Sequence, residues 1–280
     1  MVPRDVAGSL GTWLGLQDGE GPRTSRLFTF IFLLTSAAVL ARSAQRELFL
    51  AAYPRSAIPD AFLLSAGVLA VASLGISALT ERVSLVRLMR WLLAGGAGLL
   101  VLAFVAARAW AAGGPMTVYV TVEVLISLLL SQAWAVASEA IDVRSAKRLL
   151  PVIGLGAGLA WTVGGFAVSG LAMLFGPATL LLLGAASLAG ALGVLALVAR
   201  RDIAAERRKA PHEPFFSGLV SGLRSIFTEP LTRVLAAIIT IELVVEKITD
   251  FQLFAFAQQT FAGQPGGVAA FMGLFFGITG

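Results

Sequence analysis

The chain has no cysteine, one histidine and two tyrosines among its 280 residues. Without cysteine there is neither a disulfide framework nor a thiolate metal site. His212 stands alone in a polar connection, so there is no histidine cluster for a metal and no histidine base beside a nucleophile. No cofactor signature is visible, and hydrolase chemistry has no residues to work with. Charge is scarce as well: 13% of residues are charged and 58% are hydrophobic, whereas a soluble domain carries about 25% charged residues. With a mean hydropathy of +0.87, the chain reads as an all-α, polytopic protein of the lipid bilayer. The first 26 residues lack the short apolar core and small-residue cleavage site of a signal peptide, so the first span is expected to be retained.

What is present is a succession of apolar runs, each close to the 20 or so residues that cross a ~30 Å hydrocarbon core. They cover 27–50, 57–80, 91–112, 117–141, 151–175, 177–199 and 231–257, and an eighth starts near Val268. Pro54, Pro59, Gly113-Gly114-Pro115 and Gly176-Pro177 punctuate short connections. The expected organisation is a tail over 1–26, a six-helix bundle over 27–199, a basic linker with an amphipathic segment over 200–230, and the start of a second bundle over 231–280. The last apolar run is still open at Gly280, so the eighth helix is expected to continue beyond it.

The net charge of +5 comes from 18 Arg and 3 Lys, a total of 21 against 16 acidic residues. The basic residues cluster in alternate loops: Arg23 and Arg26; Arg82, Arg87 and Arg90; Arg144, Lys147 and Arg148; then Arg200 to Lys209. The opposite loops hold little more than Arg55, Asp60 and Arg108. Such asymmetry reports membrane orientation and not a nucleic-acid partner, and it places the N-terminus in the cytoplasm.

Charged residues inside spans fall on the first, fourth and seventh. A charge at the bilayer centre costs about 2.5–3.5 kcal/mol on insertion scales, so such residues tend to face a cavity. On the first span Arg42, Gln45 and Arg46 share one helical face. Guanidinium pairs suit an anion; the alternative is that they snorkel to headgroups or pair with Glu47. On the fourth, Glu123, Ser127, Ser131, Trp134 and Ser138 form a polar stripe. It either wets a cavity wall or bonds back to its own helix. Glu139 and Asp142, beside Arg144, Lys147 and Arg148, suggest an ionic latch at the inner rim.

On the seventh span Glu242, Glu246, Thr249 and Asp250 share a face, with Lys247 at its edge. Lys247 and Asp250 can pair, which leaves Glu242 and Glu246 as like charges one turn apart, a placement that disfavours ionising both. These residues read either as a binding or coupling site or as a structural charge lock. The glycines of the fifth span, Gly154 to Gly170, have no preceding strand and no Lys-Ser or Lys-Thr partner. Close helix packing explains them better than phosphate binding.

Two triplets of spans, a basic linker and a further span resemble the major facilitator superfamily, in which the first helix of each triplet lines a central cavity. The loop from Gly75 through Glu81-Arg82 to Arg87 looks like that superfamily's acidic-Arg-Gly-Arg turn, with Ser84 at its glycine. Asp142 through Ala146-Lys147-Arg148-Leu149-Leu150-Pro151 to Gly154 resembles the Ala-Lys-Arg-Leu-x-Pro-x-x-Gly segment of the ATP/ADP antiporter family. Arg42 to Leu50, Thr249-Asp250-Phe251-Gln252 and Ala270 to Gly277 resemble the same family's first, seventh and eighth helices. The resemblance covers 27–280. It implies twelve helices, alternating access and an anionic solute, adenine nucleotide among the candidates, in a bacterial inner membrane. The competing expectation is a membrane module that anchors or signals for a further domain without transporting.

Orientation is directly testable. Fusion reporters after Arg90 and Arg148 should report cytoplasm, and those after Arg55, Gly114 and Gly176 the far side. A cytoplasmic signal at Gly114 would overturn the assigned spans.

Overall fold

The computed structural model describes residues 17, 20–80, 82–110, 113–198, 224–261, 264 and 266–279. Among these residues eight helices of 13 residues or more follow one another: α1 Gly21–Ala52, α2 Ile58–Thr80, α3 Leu85–Ala109, α4 Gly114–Glu139, α5 Val143–Phe175, α6 Thr179–Val198, α7 Pro230–Thr260 and α8 Gly267–Thr279. A 3-10 turn, Arg55–Ala57, leads into α2. There is no strand among the described residues. Helices α1 to α6 are each long and apolar enough to cross a membrane, so the fold is an all-helical bundle of the polytopic membrane type. α7, expected as the seventh span, is a continuous helix of 31 residues but is not among these six.

Three helix starts lie well before the expected ones: α3 starts at Leu85 and not at 91, and the other two involve proline. α1 starts at Gly21, inside the expected tail, with Pro22 in its first turn. Proline favours that position because its fixed φ suits the helix and its missing N–H had no partner to lose. α5 starts at Val143, two turns before the expected span, and runs through Pro151. Arg144, Lys147 and Arg148 are therefore on a helix and not in a loop; Pro151 removes the bond its nitrogen would have donated one turn back and crowds the carbonyl four residues before it, a cost that the packing of α5 offsets. Of the expected linker, 200–223 lies outside the described residues, as does most of the tail; 224–228 are helical and lead to α7.

α1 is the hub, packing against α4, α5, α6 and α8. Its most apolar stretch is 61% buried, against 6% for that of α2 on the periphery. A helix that is apolar on all sides belongs in such a core. Small residues let the neighbours close in: Gly184 of α6 faces Ala37 and Ala41, and Ser187 donates to the Leu33 carbonyl at 2.9 Å. The glycines of α5 do the same on two sides. A Cβ on Gly156 would sit 2.7 Å from the Phe28 carbonyl of α1; one on Gly165 would sit 2.5 Å from backbone atoms of Gly273 and Gly277 on α8. Backbone-to-backbone approach of this kind holds helices together where lipid supplies no hydrophobic drive between them.

The bundle has two distinct ends. The basic rim gathers the start of α1, the α2–α3 and α4–α5 connections and the start of α7. The far end gathers the close of α1 and α7 with the starts of α2, α4 and α8. A second apolar cluster seals the far end, with Phe49, Ile58, Tyr119, Phe254, Ala257 and Met272 in it. At the basic rim α7 stands clear: almost every residue from Leu231 to Thr249 is exposed.

Gly165→Ala should lower thermal stability in detergent by about 1–3 kcal/mol, because the methyl meets backbone that can move only with the whole of α8. Gly170→Ala, whose methyl meets nothing within 4 Å, should be neutral or stabilising by up to about 1 kcal/mol.

Candidate functional site

The first, fourth and seventh helices bring their charges together. Arg42 and Arg46 leave the same face of α1 one turn apart and meet different partners. Arg42 Nε lies 3.9 Å from Glu123 of α4, and Arg46 Nη2 lies 3.5 Å from Asp250 of α7. Gln45 Nε2 donates to Glu123 at 3.4 Å. Lys247 Nζ stands among three carboxylates: Glu246 at 3.4 Å, Glu123 at 3.5 Å and Asp250 at 3.6 Å. Of the residues singled out in the sequence, Arg42, Gln45, Arg46, Glu123, Lys247 and Asp250 thus form one network. Glu246 touches its edge with half its side chain exposed. Glu242 is exposed one turn away. The Lys247–Asp250 pair exists, but Asp250 has Arg46 as a second cation.

Arg46 is the most enclosed member. Its guanidinium lies 5.0 Å from the Phe254 ring centroid and 4.6 Å from that of Phe276, with Met272 Sδ 3.9 Å from Nη1. Cation–π contact on two faces and a carboxylate at the edge replace the water this ion loses. The site lies about 9–15 Å inside the far end of α1, counting 1.5 Å per residue from Ala52 back to Arg46 and Arg42. Beneath it, towards the basic rim, Ser131, Trp134 and Ser138 of the α4 stripe are exposed; Ser131 bonds back to the Leu128 carbonyl. The stripe therefore faces open space and also satisfies part of its polarity locally.

Several partners were not singled out in the sequence. Tyr119 sits one turn before Glu123 and meets Phe49 in a tilted ring contact at 4.8 Å. Glu47, which could have paired with its arginine neighbours, turns instead to α8. Its oxygens accept from Gly266 N at 2.9 Å and Ala269 N at 2.7 Å. Gln258 of α7 donates from Nε2 to the carbonyls of Leu50 and Tyr53 at 2.9 and 2.8 Å. The available signal was helical phase: Glu47 lies about 100° round α1 from Arg46, and Gln258 lies two turns beyond Asp250 on the same side of α7.

At the basic rim the ionic contact differs from the expected one. Arg148 pairs with Glu20 at 3.1 Å, and Ser145 Oγ donates to the same carboxylate at 3.2 Å. The backbone N–H of Gln17, then the Ser145 hydroxyl and Arg148, hold the Glu20 carboxyl below its ordinary range. This latch joins the start of α1 to the start of α5.

Asp250→Asn should destabilise the folded protein in detergent by about 3–5 kcal/mol, since it strips a buried guanidinium of its carboxylate. Glu246→Gln, on an exposed side chain, should cost less than about 1 kcal/mol. Equal losses on thermal melting would show that the network is not organised around Arg46.

Comparison with protein-family models, with curated proteins and with solved structures finds no match for this chain.

Proposed function

We propose that this chain is a membrane transporter that moves an anionic solute by alternating access, with Arg42, Gln45 and Lys247 presenting the binding groups. The observation that carries the reading is loose pairing in a buried place. Arg42 Nε and Gln45 Oε1 are buried without a hydrogen-bond partner. The three contacts of Lys247 all lie between 3.4 and 3.6 Å, longer than the 2.7–2.9 Å of a committed charge-assisted bond. Buried polar groups in native proteins are almost always satisfied, so the Arg42 donor and the loosely held Lys247 ammonium suit an anionic ligand. Arg42, Arg46 and Lys247 outnumber the enclosed Glu123 and Asp250 by one charge, and the exposed Glu246 can yield its place at Lys247 to an incoming anion.

The resemblance to ATP/ADP antiporters makes adenine nucleotide the first solute to try, and with it come a major-facilitator architecture and a bacterial inner membrane with the N-terminus inside. A second reading has its own support: each guanidinium already has a carboxylate nearby, as a structural lock in an anchoring or signalling module requires.

Counterflow in liposomes, with ATP, ADP, phosphate and dicarboxylates as solutes, separates the two. Arg42→Gln and Lys247→Gln should each weaken binding of the transported anion about 10- to 100-fold, the worth of one charge-assisted contact of about 1.5–3 kcal/mol. They should leave melting temperature nearly unchanged. No uptake of any anion, with both variants losing stability, would favour the lock.

A further inference from the structure

We propose that the starts of α1 and α5 form a binding site for an acidic phospholipid of the leaflet at the basic rim, with Arg144 and Arg148 taking its phosphate and the face of α5 beneath them its acyl chain. The inference does not depend on what the protein transports. α5 begins two turns before the apolar run that starts near Pro151. At 1.5 Å per residue, Arg148 and Arg144 stand about 5 and 10 Å outside that run, the depth of the headgroup layer beside a ~30 Å hydrocarbon core. They lie one turn apart on the same side of the helix. A polar cavity of about 680 Å³ opens there, lined among the described residues by Gln17, Asp142, Arg144, Ser145 and Arg148. Arg144 is exposed and has no ion-pair partner among the described residues.

An anion already engages these donors, and it belongs to the protein. One Glu20 oxygen accepts from Arg148 at 3.1 Å and from Ser145 Oγ at 3.2 Å, and the other accepts from the Gln17 N–H at 2.9 Å. A phosphate can take the Arg148 and Ser145 donors in its place and also engage Arg144, since guanidinium groups bind phosphate through paired donors. The Asp142 carboxylate opposes an anion in the same cavity. Yet 20–26 and 139–148 together carry five basic and three acidic residues, so the surroundings favour a headgroup of net negative charge.

The apolar part of the ligand follows from helical phase. Arg148, Leu155 and Leu159 fall within about 20° of one line along α5, and both leucines are exposed. Leu159 lies about 16 Å along the helix from Arg148, close to half of a ~30 Å hydrocarbon core. Neighbouring helices meet α5 on either side of this line: α1 about 80° round at Gly156, and Trp134 of α4 and the glycines of α8 about 100–120° round the other way at Gly154 and Gly165. The expected second bundle builds on the α7–α8 side, which leaves the line to lipid.

The test is lipid retained by the whole chain after detergent extraction from vesicles of equal phosphatidylglycerol and phosphatidylcholine, read by native mass spectrometry. The parent should retain phosphatidylglycerol over phosphatidylcholine by about fivefold or more, and Arg144→Gln should lower that preference about fivefold, the effect of one basic residue on an acidic headgroup. Arg108→Gln, at the far end, should leave it unchanged. Glu20→Gln should raise retention of phosphatidylglycerol, because the rival carboxylate has lost its charge, whereas a latch with no ligand would leave it unchanged or lower it. If Glu20→Gln fails to fold, Glu20→Asp, which draws the carboxylate back by one methylene, should raise retention by a smaller factor. Equal retention of the two lipids overturns the proposal, as does parental preference in Arg144→Gln or an equal loss in Arg108→Gln. Displacement of the lipid by millimolar glycerol phosphate would also overturn it, by showing a site for small soluble anions.

Discussion

An ion buried among hydrocarbon must carry its own solvent with it, and in this protein that requirement draws separate helices to one point. Arg46 is 7% exposed. Two aromatic faces, a thioether and the Asp250 carboxylate stand where water would be. Those groups come from α7 and α8, so the guanidinium on α1 determines where both must lie. Coulomb attraction alone would not select a geometry, since it falls slowly with distance. The two rings add a geometric requirement, because a planar cation meets an aromatic face in few orientations.

Around that point the ordinary forces of membrane helices take over, and they explain why polar and apolar contacts sit at different levels. α1 can serve as the hub because its neighbours turn glycine, alanine and serine towards it, leaving its charged turn, from Arg42 to Glu47, to be met from the side by α4, α7 and α8. Arg46 and Glu47 are consecutive yet serve different helices, because one residue along an α-helix is a rotation of about 100°. Lys247 joins the two levels: its ammonium is in reach of three carboxylates, and with Val244, Ile248 and Phe62 of α2 it also lines an apolar groove.

Much of this architecture was legible in the sequence. Apolar runs and punctuating Gly and Pro gave the number of helices, because hydrocarbon thickness leaves little freedom in span length. The helices carrying the site followed from the rarity of charge in the other spans. Boundaries at proline were less legible: Pro22, Pro115 and Pro230 sit in the first turns of their helices, and Pro151 sits inside one; composition does not distinguish a proline that starts a helix from one that interrupts it. The partners of each charge were out of reach. Glu242 and Glu246 shared a face with Asp250 in projection, but α7 meets the bundle through its second half, where Phe254 and Ala257 are buried, and the earlier carboxylates stay outside. Tyr119 and Phe276 carried no mark as aromatics in apolar runs; only tertiary packing makes them walls of an ionic site.

The meeting of α5 and α8 at Gly165, Gly273 and Gly277 has a mechanical consequence. Where helices touch through interlocked side chains, turning one against the other means lifting each knob out of its hole. Here the closest approach is backbone to backbone at Gly165 and Gly273, with Val168 against Gly273 and Phe166 against Gly277, so α8 can tilt about that point with few side chains to lift. Gly273 lies about 10 Å along α8 from Gly266, at 1.5 Å per residue, so the contact works as a fulcrum with a short arm. A tilt of about 10° about it would carry the opening of α8 sideways by about 2 Å, enough to part a hydrogen bond at Glu47 while the fulcrum itself barely moves.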